Sequence, residues 1–317
     1  MDNFLFSLNA TLPIFLVIVV GYVFKRTGML GEGFINSANK FNFNVTLPCL
    51  LVTDLMSCDI RNNFQGKYLL YCFATTIICI IVIWTIAKIV IKDKTIIGEF
   101  VQGSYRGSAA VLGIALIQNI KGDSGMGPLM IVGSVPLYNA FAAIILTLEA
   151  PENDGSKPFG ETLKKALIKV CKNPMIISIL LGVLLSYFNI GFPIVVDKTV
   201  NMLAKITTPL ALVTIGAAFE GAKALKMLKP TIVVSTIKLI IQPMIFLPIA
   251  VFMGFNSEEI IALLIMYGAP TTASSYIMSR NMNHEGTLSS SIIVLTTLMS
   301  AVTVTFWIFV LRTFNVI

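Results

Sequence analysis

Charge is scarce in this chain, and acidic charge scarcest: 12% of its 317 residues are charged, with 16 Asp and Glu against 23 Lys and Arg. Soluble domains carry roughly 25%, so a soluble fold is excluded. Histidine is nearly absent, His284 standing alone, and neither HExxH nor GxSxG occurs. Catalysis needs a nucleophile with its base, paired carboxylates or metal ligands. These shortages argue against an enzyme and offer no metal or cofactor site. The five cysteines, Cys49, Cys58, Cys72, Cys79 and Cys171, sit mostly in apolar runs without CxxC spacing, and read as small core residues. The start, MDNF, has no basic region and no small-residue cleavage site follows, so the first apolar run reads as a retained helix.

Apolar sequence fills the space: 56% of residues are hydrophobic and the mean hydropathy is +0.86. A bilayer core about 30 Å thick needs roughly 20 apolar residues per helix. Ten such runs lie near 4–24, 34–57, 67–91, 100–120, 127–149, 173–189, 194–219, 230–253, 258–280 and 287–311. The expectation is an all-α membrane protein of ten transmembrane helices. Basic residues crowd the odd-numbered joints (Lys25, Arg26; Lys88, Lys92, Lys94; Lys157 to Lys172; Lys223, Lys226, Lys229; Arg280), while even joints and the tail hold few. By the positive-inside rule the odd joints are cytoplasmic, which leaves both termini outside a plasma membrane. Topology thus accounts for the net charge of +7, and nucleic acid is not needed as a partner. The longest joint, 150–172, separates halves 1–149 and 173–317. Its later part alternates Phe159, Leu163, Ala166, Leu167 and Val170 with Lys164, Lys165, Lys169 and Lys172, the pattern of a helix lying on the membrane surface.

The halves echo each other. TLPCLLVT at 46–53 matches TTPLALVT at 207–214, pairing Pro48 with Pro209, and the same offset of 161 residues sets Gly107 over Gly268. A constant offset across two matches points to duplication. Five helices per half make the second copy enter from the opposite side, an arrangement that belongs to secondary transporters with sites at broken helices near the midplane. The fourth helix of each half is the interrupted one: Gly107, Ser108 and Gly113 in the first, and Gly268, Pro270, Thr271, Thr272, Ser274 and Ser275 in the second. Pro270 has no N–H, so the carbonyl of Met266 loses its partner. Backbone freed at membrane depth must line a cavity or find side chains. Half-helix N-termini beside it would suit an anion.

Four basic residues lie within the runs: Lys40, Arg106, Lys205 and Lys238. Each costs on the order of 2.5–3.5 kcal/mol at a helix centre. Arg106, two residues before Ser108, either holds a substrate carboxylate bidentately or braces the break. Lys238, one turn before Gln242, either neutralises a bound anion or serves structure. Lys40 and Lys205 are placed to snorkel. His284, at a joint, reads as a solvated surface histidine.

At these residues the chain resembles the auxin efflux carrier family, in its bacterial branch of organic-anion permeases. The resemblance is carried by SYRGSAAVLGIAL (104–116), GAPTTASSYIMSRNM (268–282), NVTLPCLL (44–51) and VPLYNAF (135–141). The last contains Asn139, which matches a family position near the substrate. Where the family has Asn this chain has Ser108, and Ala115 stands for Pro, which implies a less sharp break in the first interrupted helix. The resemblance implies two inverted five-helix repeats, with helices 1, 2, 6 and 7 as scaffold and helices 4 and 9 crossing at their breaks. It also implies a homodimer working by an elevator-like movement. The function expected is secondary transport of a small organic anion, with a sodium-coupled bile-acid-type symporter as the alternative. A receptor or channel fits less well, because paired broken helices suit alternating access.

Overall fold

The computed structural model describes residues 2–56, 65–108, 117, 126–151, 168 and 172–317. Gly113, Ala115, Cys58, Cys171 and nearly all of the 150–172 joint, including its amphipathic stretch, lie outside them. Helices and helical turns are the only regular elements among the described residues. In order they are α1 (Asp2–Arg26), α2 (Glu32–Phe41), α3 (Leu47–Met56), α4 (Gly66–Val90), α5 (Ile97–Tyr105), α6 (Gly127–Leu148) and α7 (Pro174–Tyr187). There follow α8 (Ile194–Ala217), α9 (Gly221–Lys226), α10 (Leu228–Thr236), α11 (Gln242–Phe252), α12 (Ser257–Gly268), α13 (Ser274–Asn281) and α14 (Thr287–Thr313). Five stretches, Gly66–Val90, Gly127–Leu148, Ile194–Ala217, Leu228–Phe252 and Thr287–Thr313, are long and apolar enough to cross a membrane.

Two helical rods are joined by π turns. Asn42–Thr46 links α2 to α3 just before Pro48, and Ile237–Ile241 links α10 to α11 just before Pro243. A proline inside a helix removes one i→i−4 bond and its ring presses on that carbonyl. The wider π turn gives the ring room. The carbonyl of Leu239 that Pro243 leaves unpaired is taken by Trp307 Nε1 at 3.0 Å.

The helices pack in two groups. In one, α8 lies against α1, α2 and α3, and α7 against α3; in the other, α4, α5 and α6 pack together, α10, α12, α13 and α14 pack around α5 and α6, and α11 lies against α12. α1 also lies along α14, which joins the groups. The α1–α8 contact is backbone to backbone. A Cβ at Gly21 would stand 2.2 Å from the Val213 carbonyl oxygen, and one at Gly216 1.9 Å from that of Ile18. Small residues permit this approach where lipid supplies no hydrophobic drive for association.

The odd-numbered joints meet at one end of the bundle. Lys223 bridges Glu220 at 3.2 Å and Glu285 at 3.3 Å, and those two carboxylates raise its pKa, Glu220 first. Lys25 pairs with Glu32, and Lys88 with Glu149 at 2.9 Å. At the opposite end Lys67 bonds the Met253 carbonyl and Ser257 that of Val316. His284 corrects the reading of a solvated histidine: it is 3% exposed, with Nε2 2.9 Å from the Leu146 carbonyl oxygen. Gly98 makes the room, since a Cβ there would sit 2.8 Å from the imidazole. Beside it, Glu99 accepts the N–H groups of Gly286 at 2.8 Å and Ser289 at 2.7 Å. A buried carboxylate thereby caps the positive end of α14.

Candidate functional site

Two helices stop in mid-bundle. α12 ends at Gly268 and α13 begins at Ser274, with Ala269 already extended at ψ 149°. α5 ends at Tyr105, and Arg106 is extended at ψ 129°. The two non-helical segments meet: Ser108 N–H donates to the Pro270 carbonyl at 2.8 Å. On its N-terminal side the first break is thus as abrupt as the second, contrary to the softer break expected from the departures at Ser108 and Ala115.

Side chains explain how α5 ends without a proline. The last carbonyls of a helix have no partner in the helix. Here Thr271 Oγ1 donates to Gly103 O at 2.8 Å, Gln242 Nε2 to Ser104 O at 2.6 Å, and Lys238 Nζ lies 3.4 Å from Tyr105 O. Lys238 Nζ also donates at 3.0 Å to Met266 O, the carbonyl that Pro270 strands. A Cβ at Gly107 would lie 3.1 Å from that ammonium and 3.2 Å from Met266 O, so the glycine lets the break close over both.

Arg106 points the other way, toward a cavity. It is 2% exposed. One terminal nitrogen donates to Asn139 Oδ1 at 2.7 Å and Ser274 Oγ at 2.8 Å; the other lies 2.8 Å from Met278 Sδ and 3.4 Å from Gln102 Oε1. These partners are neutral, and Nε has none among the described residues. The fork is held in place by these neutral groups, and Asp54 stands in the lining of the same cavity. Asn139 is itself fixed, its amide donating to Val135 O at 2.9 Å.

The cavity measures about 70 Å³. One wall comes from the breaks and α6: Arg106, Gly107, Ser108, Asn139, Tyr138, Thr272 and Ser274. The other comes from the first packing group: Leu47, Leu50, Leu51 and Asp54 of α3, with Thr207, Thr208 and Ala211 of α8. The N-terminus of α13 opens onto it through Thr272, Ala273 and Ser274.

Of the residues expected at the site, Arg106, Gly107, Ser108, Asn139, Thr272 and Ser274 line this cavity. Lys238, Gly268, Pro270, Thr271 and Ser275 are placed behind it, in the crossing. Pro48 and Pro209 flank it without lining it, and Gly113 lies outside the described residues. Asp54, Thr207 and Thr208 were missed by sequence reasoning. The TLPCLLVT and TTPLALVT echo was the available signal, since these residues stand within it or next to it.

A charged cavity at two helix breaks, set between two groups of membrane-long helices, defines a membrane transporter. The chain belongs to the membrane transport protein family, the auxin efflux carrier family, whose pattern matches residues 6–308. It is 25% identical over 314 residues to the "Uncharacterized transporter YfdV" of Escherichia coli K12, covering 97% of this chain and 98% of that one. It is 22% identical over 314 residues to an "Uncharacterized transporter" of Methanothermobacter thermautotrophicus, covering 97% and 99%. A "Putative malonate transporter" of Rhizobium meliloti is 21% identical over 306 residues, covering 95% and 94%.

Proposed function

We propose that this transporter is a secondary carrier of small organic anions, mono- or dicarboxylates, across the plasma membrane. Arg106 carries the reading: a buried guanidinium at a helix break, with neutral partners, an unused Nε–H and a cavity in front of it. Burying a charge is costly unless it is well paired and hydrogen-bonded, and a carboxylate cargo entering the cavity would meet the guanidinium bidentately, with Asp54 on the opposite wall. The hydroxyls of Thr272 and Ser274 and the positive end of α13 face the same space, where they would share the remaining acceptor lone pairs. A cavity of about 70 Å³ is far below the roughly 300–1,000 Å³ of drug-sized ligands. That favours short carboxylates over indole acids, and the name of the Rhizobium meliloti relative points the same way.

The movement belongs to the same reading. Two inverted five-helix repeats place α1, α2 with α3, α7 and α8 as a scaffold, and the remaining helices carry the anion past it in an elevator-type step, as a homodimer. The position of the cavity between the two packing groups supports this division. The test is a thermal-unfolding screen of the purified protein against malonate, malate, acetate and an indole acid, because a ligand of the folded form raises its midpoint. A short dicarboxylate is expected to raise it, and Arg106→Gln to unfold cooperatively without that rise. Indifference to every carboxylate would sink the proposal.

A further inference from the structure

Lys238 is 0% exposed and sits in the π turn Ile237–Ile241. Among the described residues, the oxygens bonded to its ammonium are main-chain: Met266 O at 3.0 Å and Tyr105 O at 3.4 Å. Those carbonyls end α12 and α5, whose C-termini converge here and each carry about half a negative charge. No carboxylate lies within ion-pair distance of Lys238 among the described residues. A monovalent cation held by carbonyls at the ends of broken helices is the arrangement by which secondary transporters bind sodium. Here the cation is covalently part of the chain.

We infer that Lys238 is a resident counter-cation, filling the place in the crossing that a coupling alkali ion would otherwise occupy. Two broken ends of about −0.5 each are balanced by one ammonium, so neither folding nor the crossing needs a dissolved cation. Arg106 is thereby left for cargo, because Lys238 does not line the cavity. Gly107 belongs to the same device: any side chain there would press on Nζ, 3.1 Å away. Resting on the carrier reading, the inference adds that cargo movement is independent of sodium.

The experiment is thermal unfolding of the purified wild type, Lys238→Ala and Lys238→Met in choline, sodium, potassium and methylammonium chloride at equal ionic strength. The wild type is expected to give the same midpoint in all four. Lys238→Ala should be destabilised in choline and regain stability, saturably and on the order of 5 °C, with sodium or methylammonium entering the vacated space. Lys238→Met, whose apolar chain fills that space, should be destabilised and not respond. A wild-type midpoint that rises with sodium overturns the inference, even if the variants cannot be purified. So does Lys238→Ala that matches the wild type in choline, or that ignores both small cations. None of these readings uses a cargo, so failure here is distinct from failure of the carboxylate screen.

Discussion

Two buried cations, far apart in sequence, meet on opposite sides of one break, Lys238 Nζ lying 3.4 Å from the carbonyl of Tyr105, and each has its own substitution to separate the roles proposed for them. Arg106 presents a planar fork, one nitrogen of which holds Asn139 and Ser274. Arg106→Lys keeps the charge and loses the fork. It is expected to fold and to bind a short dicarboxylate at least about tenfold more weakly, the worth of roughly 1.4 kcal/mol, in a thermal-shift or calorimetric titration; unchanged affinity would show that charge alone suffices. Gly107→Ala acts on the other side of the break, pushing a methyl to 3.1 Å from Lys238 Nζ and 3.2 Å from Met266 O. Overpacking of this kind costs about 1–3 kcal/mol, so its unfolding midpoint should fall with or without cargo. Much of this site was legible, because a polar residue in an apolar run has few reasons to be there: Arg106, Thr272 and Ser274 were found on that ground, and Asn139 through the family resemblance. Asp54, Thr207 and Thr208 join them only through the packing of α3 and α8. The sequence placed Lys238 one turn from Gln242 but could not say that both would serve carbonyls of α5.

Helix breaks and helix contacts follow the same division. The break after Gly268 was readable, because Pro270 removes a donor wherever it lies. The break after Tyr105 was read from Gly107 and Ser108 as a softer one, because the three side chains that donate to its cut carbonyls, Thr271, Gln242 and Lys238, are distant in sequence. Gln242→Leu should therefore loosen α5: Ser104 O would be left buried without its partner at 2.6 Å, at a cost of about 1–3 kcal/mol. Hydrogen exchange at the end of α5 should rise before that of α4, and equal protection in both would contradict the capping role. The α1–α8 contact gives a second comparison. Gly216→Ala sets a Cβ 1.9 Å from a backbone oxygen that cannot rotate away, whereas Gly33 in α2 has nothing within 4 Å. The first should lower the unfolding midpoint by several degrees, since overpacking costs about 1–3 kcal/mol. Gly33→Ala should be neutral or stabilising by up to about 1 kcal/mol. Helix propensity predicts gain at both sites, so opposite signs would isolate the packing term.

For the whole molecule the question is whether its halves run through the membrane in opposite senses. The sequence echo sets residue 31 against residue 192, and Gly31 and Gly191 stand within one residue of that correspondence. Both are exposed joint residues with open space around them, so each accepts a cysteine without disturbing packing or the basic residues that govern orientation. Gly31 belongs to the end where Lys25, Lys223, Arg280 and Glu285 line one pocket, the end the positive-inside rule assigns to the cytoplasm. Gly191 precedes α8 at the other. With alanine at the five native cysteine positions, Gly191→Cys should react with a membrane-impermeant maleimide in intact cells. Gly31→Cys should react only after permeabilisation. Reaction of both from one side would mean a direct rather than inverted repeat and would overturn the inverted symmetry proposed for the two halves. The reverse labelling would keep the symmetry and invert the molecule in the membrane, placing both termini inside. The labelling thus decides orientation and inversion separately, because the two corresponding glycines either share a face of the membrane or do not.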